Sequence, residues 1–277
     1  ASNRWEDWQA IARLWAELTL LGSEANDPPP AAVSPAMIER LDTCFTTWLR
    51  QRYTPLGAQR LPTPHHLHHV LHYLNYRREQ GLEKLALLIL DGMSLADWLL
   101  IKHTWRRRHP GWRMDESLLL AQIPTITSVS RQALVSGLRP ADFAATIQTN
   151  RDEPHQWKTF WQRVGVQPEA CAYVSADFHR EPAPPELTDP RLRLLCLVER
   201  TVDEIVHGSV LGNADLVATL RVWLDEKQKF QHLESAISGL LERDFHVFVA
   251  SDHGHTEAVG IGQPNEHALQ WLDEFLY

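Results

Sequence analysis

Thiols, basic residues in excess and long apolar runs are all scarce in this chain. Its three cysteines, Cys44, Cys171 and Cys196, are odd in number and far apart. That excludes a disulfide framework and fits a reducing, cytoplasmic setting. Basic residues number 27 against 35 acidic ones, a formal charge of −8. A broad nucleic-acid-binding face is therefore excluded, although a local basic groove is not. No apolar stretch approaches the roughly 20 residues of a membrane span, and none reads as a signal peptide. An initial Met is missing too: the chain opens Ala1-Ser2-Asn3, as expected of a piece of something longer. The 277 residues, 44% of them hydrophobic, suffice for a sizeable core.

What is present divides into two parts. Residues 1–80 read as an N-terminal helical segment. Trp5, Trp8, Ile11, Ala12, Trp15 and Leu18 recur at helical spacing, a stripe suited to a core or, alternatively, to a partner protein. After the break at Asn26-Asp27-Pro28-Pro29-Pro30, Ser34-Pro35 supplies the cap and first position of a second helix, to about residue 51. Thr63-Pro64 opens a third helix carrying His65, His66, His68, His69 and His72. Two pairs of these lie one turn apart, but no acid or thiol is near in sequence, so a solvated or partly packed face is expected rather than a metal site.

Residues 81–277 read as one α/β domain. Leu85 to Leu90 are six apolar residues in a row, then Asp91-Gly92, the pattern of a parallel strand buried on both faces. The run His246-Val247-Phe248-Val249 leads likewise to Asp252-His253-Gly254. Either acid alone is a polar turn. Two of them at strand ends, where ligands collect in open α/β sheets, form a metal-binding pattern.

Between these strands, residues 117–123 read as a further strand, followed by a polar turn and a helix from near Ser128 to Gly137. Thr127, at the first turn of that helix, meets unpaired backbone N–H groups and the positive end of the dipole. It is a candidate nucleophile toward a phosphoryl group, with Arg131 holding the oxygens; the alternative is that Thr127 or Ser128 only caps the helix. A helix at 191–209 places Asp203 and His207 on one face, able to grip one ion or to form a surface hydrogen bond. A helix at about 214–243 then feeds the Asp252 strand. Trp157, Phe160 and Trp161 suggest a packed helix, and Asp177-Phe178-His179 a loop. Arg106-Arg107-Arg108 with Arg113 reads as a solvated face, and is the best candidate for an anionic-substrate rim. Gly260-Ile261-Gly262 lacks the third glycine of a dinucleotide loop.

The stretches LALLILDGMS at 85–94, IPTITSVSRQALVSG at 123–137, VDEIVHG at 202–208 and SDHGHTEAVGIGQP at 251–264 follow one another in a telling order. Together they resemble the alkaline phosphatase superfamily of two-metal phosphoryl- and sulfuryl-transfer enzymes. More narrowly, they resemble the PglZ domain family of bacterial anti-phage BREX systems. The resemblance implies an alkaline-phosphatase-like, mostly parallel sheet flanked by helices. It implies a first metal held by Asp91, Thr127, Asp252 and His253, with Thr127 also the nucleophile. A second metal would take Asp203, His207 and a late histidine, His267 or its competitor His255. Zn²⁺ suits these ligands, with Mn²⁺ the rival. The expected function is a metal-dependent phosphodiesterase or phosphatase, a nuclease included, acting on nucleotides or nucleic-acid ends in phage defence. The other reading is a catalytically weak metal-binding module that docks the partner proteins of the defence complex.

Overall fold

Six consecutive apolar side chains cannot be sorted into a wet and a dry face, so the segment Leu85–Leu90 (β1) needs cover on both sides. In the computed structural model, which describes residues 4–24, 33–59, 64–178, 183–208, 213–225 and 231–256, it has that cover. Ala86, Leu88 and Leu90 face one cluster with Ile101, Trp105 and Leu220, while Leu85, Leu87 and Ile89 face another with Leu74, Leu134 and Trp161. β1 lies between β3 (Leu194–Glu199) and β4 (His246–Ala250), and β2 (Cys171–Ala176) lies outside β3. All pairings in this four-stranded sheet are parallel, with Leu88 opposite both Leu197 and Val249.

The helices are α1 (Trp5–Glu24), α2 (Pro35–Gly57), α3 (Val70–Glu79), α4 (Leu95–Arg108), α5 (Thr127–Ser136), α6 (Glu153–Arg163), α7 (Thr201–Gly208), α8 (Asn213–Asp225) and α9 (Gln231–Glu242). Helices α4, α7, α8 and α9 contribute to the cluster on one face of the sheet, and α3, α5 and α6 to that on the other. Local signals set their ends. Ser34 accepts from the Met37 N–H, Ser94 and Asp97 form a reciprocal box at the start of α4, and Gly137 closes α5 at φ 68°. The architecture is the expected α/β one with an N-terminal helical segment. Of the tryptophan stripe of α1, Trp8 is buried against Phe45 and Trp48 of α2, whereas Ala12 and Trp15 are exposed.

Four sequence expectations change. Residues 191–209 are a strand and a helix: the run Leu194–Glu199 is buried throughout and pairs with both β1 and β2, so only Thr201–Gly208 is helical. Residues 117–123 form no strand beyond a single bridge from Leu120 to His66, and Ile123 is exposed. The span 214–243 holds two helices, α8 and α9, among the described residues. The histidine stretch begins with a short turn at Leu67–His69 before α3, with His66, His68 and His69 buried, His65 half-buried and His72 exposed.

Those histidines clasp the end of α2. The Nε2 of His66 bonds the Tyr53 carbonyl at 3.0 Å, and Nε2 of His68 and of His69 bond that of Gly57 at 3.3 and 2.9 Å. The Tyr53 hydroxyl bonds Gln122 Oε1 at 3.0 Å and accepts from the Ile123 N–H at 3.2 Å, while Gln122 also reaches His68. Burial, then the neighbouring His68 and His69, push His66 down to about 3, and burial followed by His69 pushes His68 to about 4. A histidine with a depressed folded-state pKa binds its proton more readily when unfolded. The clasp therefore contributes fully above the ordinary histidine value of about 6.5 and is lost as pH falls from there toward 4 and then 3. The thermal midpoint of the chain is expected to drop over pH 6.5–4, and His68→Gln to flatten that drop; equal slopes in parent and variant, by calorimetry across this range, would contradict the clasp.

Candidate metal centre

Three strand ends and two helix starts meet at the carboxyl edge of the sheet. Asp91 follows β1, its N–H donating to the Glu199 carbonyl of β3 at 2.9 Å. Asp252 follows β4 and is wholly buried, and its Oδ1 accepts from the N–H of Gly92 at 3.1 Å and of His253 at 2.9 Å. Two buried acceptor atoms, Asp91 Oδ1 and Asp252 Oδ2, have no hydrogen-bond partner. Burial first, and the Asp91 charge next, push the Asp252 carboxyl well above the usual range. Two carboxylates this close, out of water, are short of positive charge.

The fit to a divalent cation follows from those observations. Ligand atoms of Asp91, Asp252 and His253 all lie within 4.8 Å of one another. His253 Nδ1 donates to the Gly254 carbonyl at 2.8 Å, which leaves its Nε2 with the lone pair. That Nε2 is 2.9 Å from Thr127 Oγ1, the first residue of α5. Oxygen and nitrogen donors on a site with unpartnered carboxylate oxygens suit a metal ion.

Asp203 comes from α7 and is close by. A side chain at Gly92 would meet Asp203 Oδ1 at 3.3 Å, and burial followed by Asp91 repulsion raises the Asp203 pKa. His207 stands 3.4 Å from Asp203 on the exposed side of α7. A model of the BREX system PglZ alkaline phosphatase-like domain matches residues 72–270.

The chain belongs to the PglZ family. Membership carries a phosphoesterase-like hydrolase character, a family that generally uses metals, and a connection to phage defence. No curated protein matches the chain. The parallel sheet and its helices are the alkaline-phosphatase-like core of a PglZ domain, and no helix among the described residues is long and apolar enough to cross a membrane.

Other sequence-derived candidates fare differently in this PglZ domain. His267 lies within the matched range but outside the described residues. His255, its competitor, bonds Asp97 Oδ2 at 2.7 Å. Arg131, expected to hold phosphoryl oxygens, is buried and bonds carboxylates through two of its nitrogens: Nη1 reaches Asp91 Oδ2 at 2.5 Å and Nε reaches Glu153 at 2.9 and 3.0 Å. Of the basic cluster, Arg107 and Arg108 face Asp225 and Glu234 at 3.4 and 2.9 Å, and Arg106 and Arg113 are exposed. Glu153 and Tyr173, whose hydroxyl donates to Glu153, escaped sequence reasoning. An acid in a helix's first turn looks like an ordinary dipole partner, and no spacing ties it to Asp91.

Gly92 has φ 67° and sits between Asp252 and Asp203. Gly92→Ala is expected to cost about 1–2 kcal/mol in urea unfolding, from the left-handed backbone alone. It should also displace Asp203; a loss below a few tenths of a kcal/mol would show that the loop adapts freely.

Proposed function

We propose that this PglZ domain is a metal-dependent phosphoesterase, a phosphodiesterase or phosphatase, with Thr127 as its nucleophile. The observation that supports it most is the hydroxyl of Thr127 at a helix start, 2.9 Å from His253 Nε2 and beside the buried Asp91–Asp252 pair. In this reading Asp91, Asp252, His253 and Thr127 hold one cation. Asp203 and His207 hold a second, with a late histidine, His267 in preference to His255, as third ligand. Zn²⁺ fits the nitrogen and carboxylate donors, and Mn²⁺ is the main rival.

Bound cations would lower the pKa of the Thr127 hydroxyl and offset charge on the phosphoryl oxygens. The chain's own groups do the rest. The amides of Thr127 and Ser128, at the start of α5, have no acceptor within the helix and face an anion placed there. Thr127 Oγ1 bonds to phosphorus as the bond to the leaving oxygen breaks, and the leaving alcohol ends with the proton that Thr127 gave up. Water then cleaves the phosphothreonyl bond and restores the hydroxyl. The substrates we infer are phosphate esters, nucleotides or nucleic-acid ends, within an assembly of other defence proteins. Residues 81–277 form the catalytic domain in this scheme and residues 1–80 a helical segment before it.

With Zn²⁺ or Mn²⁺ supplied, the chain is expected to hydrolyse bis-p-nitrophenyl phosphate. A chelator should abolish the reaction and added metal restore it. Thr127→Ala should lose at least about a hundredfold in kcat, as nucleophile removals do, and Thr127→Ser should keep part of it. Undiminished turnover by Thr127→Ala would falsify the nucleophile assignment.

A further inference from the structure

We infer that Glu153, backed by Tyr173, is a positioning residue for the cation centre, acting through Arg131 on Asp91. The inference rests on the metal-dependent reading above and adds a group that touches neither cation nor substrate.

The chain of contacts is continuous and largely buried. Tyr173 of β2 donates its O–H to Glu153 Oε2. Glu153, 1% exposed at the start of α6, accepts from Arg131 Nε through both oxygens at 2.9 and 3.0 Å. Arg131 of α5 passes the link on, donating from Nη1 to Asp91 Oδ2 at 2.5 Å. Three polar side chains from β2, α6 and α5 thus end on one oxygen of a candidate ligand, and Asp91 Oδ1 stays buried without a hydrogen-bond partner.

Two physical effects of Glu153 point the same way. Geometrically, its two oxygens share the Nε–H and hold that end of the guanidinium, and the Nη1 end restrains the rotation of the Asp91 carboxylate through Oδ2. That rotation decides whether Oδ1 is presented toward Asp252 and His253. Electrostatically, an uncompensated buried Arg131 would draw Asp91 to itself and repel an incoming cation. Glu153 cancels that charge and returns the carboxylate to the metal. Groups one step behind a metal ligand characteristically set its orientation and basicity in this way. A mere structural ion pair would hold α5 to α6 without altering the affinity for a metal.

The experiment is a titration of the full 277-residue chain, stripped with chelator, with Mn²⁺, counting free ion by its paramagnetic resonance signal. Glu153→Gln keeps size and one acceptor and removes the charge; it is expected to weaken Mn²⁺ binding about 10- to 100-fold. Tyr173→Phe, which removes only a hydroxyl and is the safer fold, should weaken it less, by about threefold to tenfold. Phe160→Leu, in the same helix but packed on His72 and Gly137, serves as the stability control: its melting temperature should fall while Mn²⁺ affinity holds. Parent-like affinity in Glu153→Gln, or in Tyr173→Phe should the former not fold, overturns the inference, as does an equal loss in Phe160→Leu. If the parent itself binds neither Mn²⁺ nor Zn²⁺ while remaining folded, the cation reading fails first and this one with it.

Discussion

Two carboxylates held out of water at the ends of adjacent strands are the constraint to which the rest of this molecule answers. Burying one ionised acid is costly and burying two side by side more so, unless positive charge or hydrogen-bond donors are brought to them. The register of the sheet makes the encounter unavoidable. Ile89 stands opposite Ala250, so Asp91 and Asp252, each two residues further on, leave the sheet together. Around them the chain gathers the Gly92 and His253 amides, the Arg131 guanidinium and an imidazole. These compensate only in part, and two acceptor atoms stay unpartnered.

The scaffold that tolerates this is the doubly covered β1. Because both its faces are packed, helices must approach from either side, and both layers then contribute a helix start at the same edge. α5 brings Thr127 from the layer that includes Trp157 and Trp161, and α7 brings Asp203 from the layer of Val202 and Ile205. A crevice at the carboxyl end of a parallel sheet is where such groups can converge without filling the space between them. The family match, the parallel topology and the acid cluster are three separate observations of one design.

The framework was legible in the sequence where physics leaves few options. A six-residue apolar run ending in Asp-Gly has one economical fate, and Asp91, Thr127, Asp203 and Asp252 could be picked out as site candidates. Legibility failed where tertiary partners decide. Leu194–Glu199 reads as part of a helix until its buried neighbours on both sides are known. The histidines of 65–72 look like a wettable face, yet His66, His68 and His69 find their acceptors in carbonyls of α2, more than ten residues earlier. Arg131 is a plausible phosphate ligand by spacing alone, and its bonds to Asp91 and to Glu153, 22 residues on, emerge only in the fold. Pairings of that kind have no period and leave no trace in a single sequence.

The tip of α2 has a consequence for how the two halves of the chain behave together. Tyr53 holds Gln122 and the Ile123 amide, His66 and His68 hold the α2 backbone, and four residues after Ile123 comes Thr127. The approach to the hydroxyl is thus moored to a helix that lies outside the family match. Push or pull on that helix, whether by a tethered neighbour or by crowding within an assembly, strains the mooring line rather than an independent lobe.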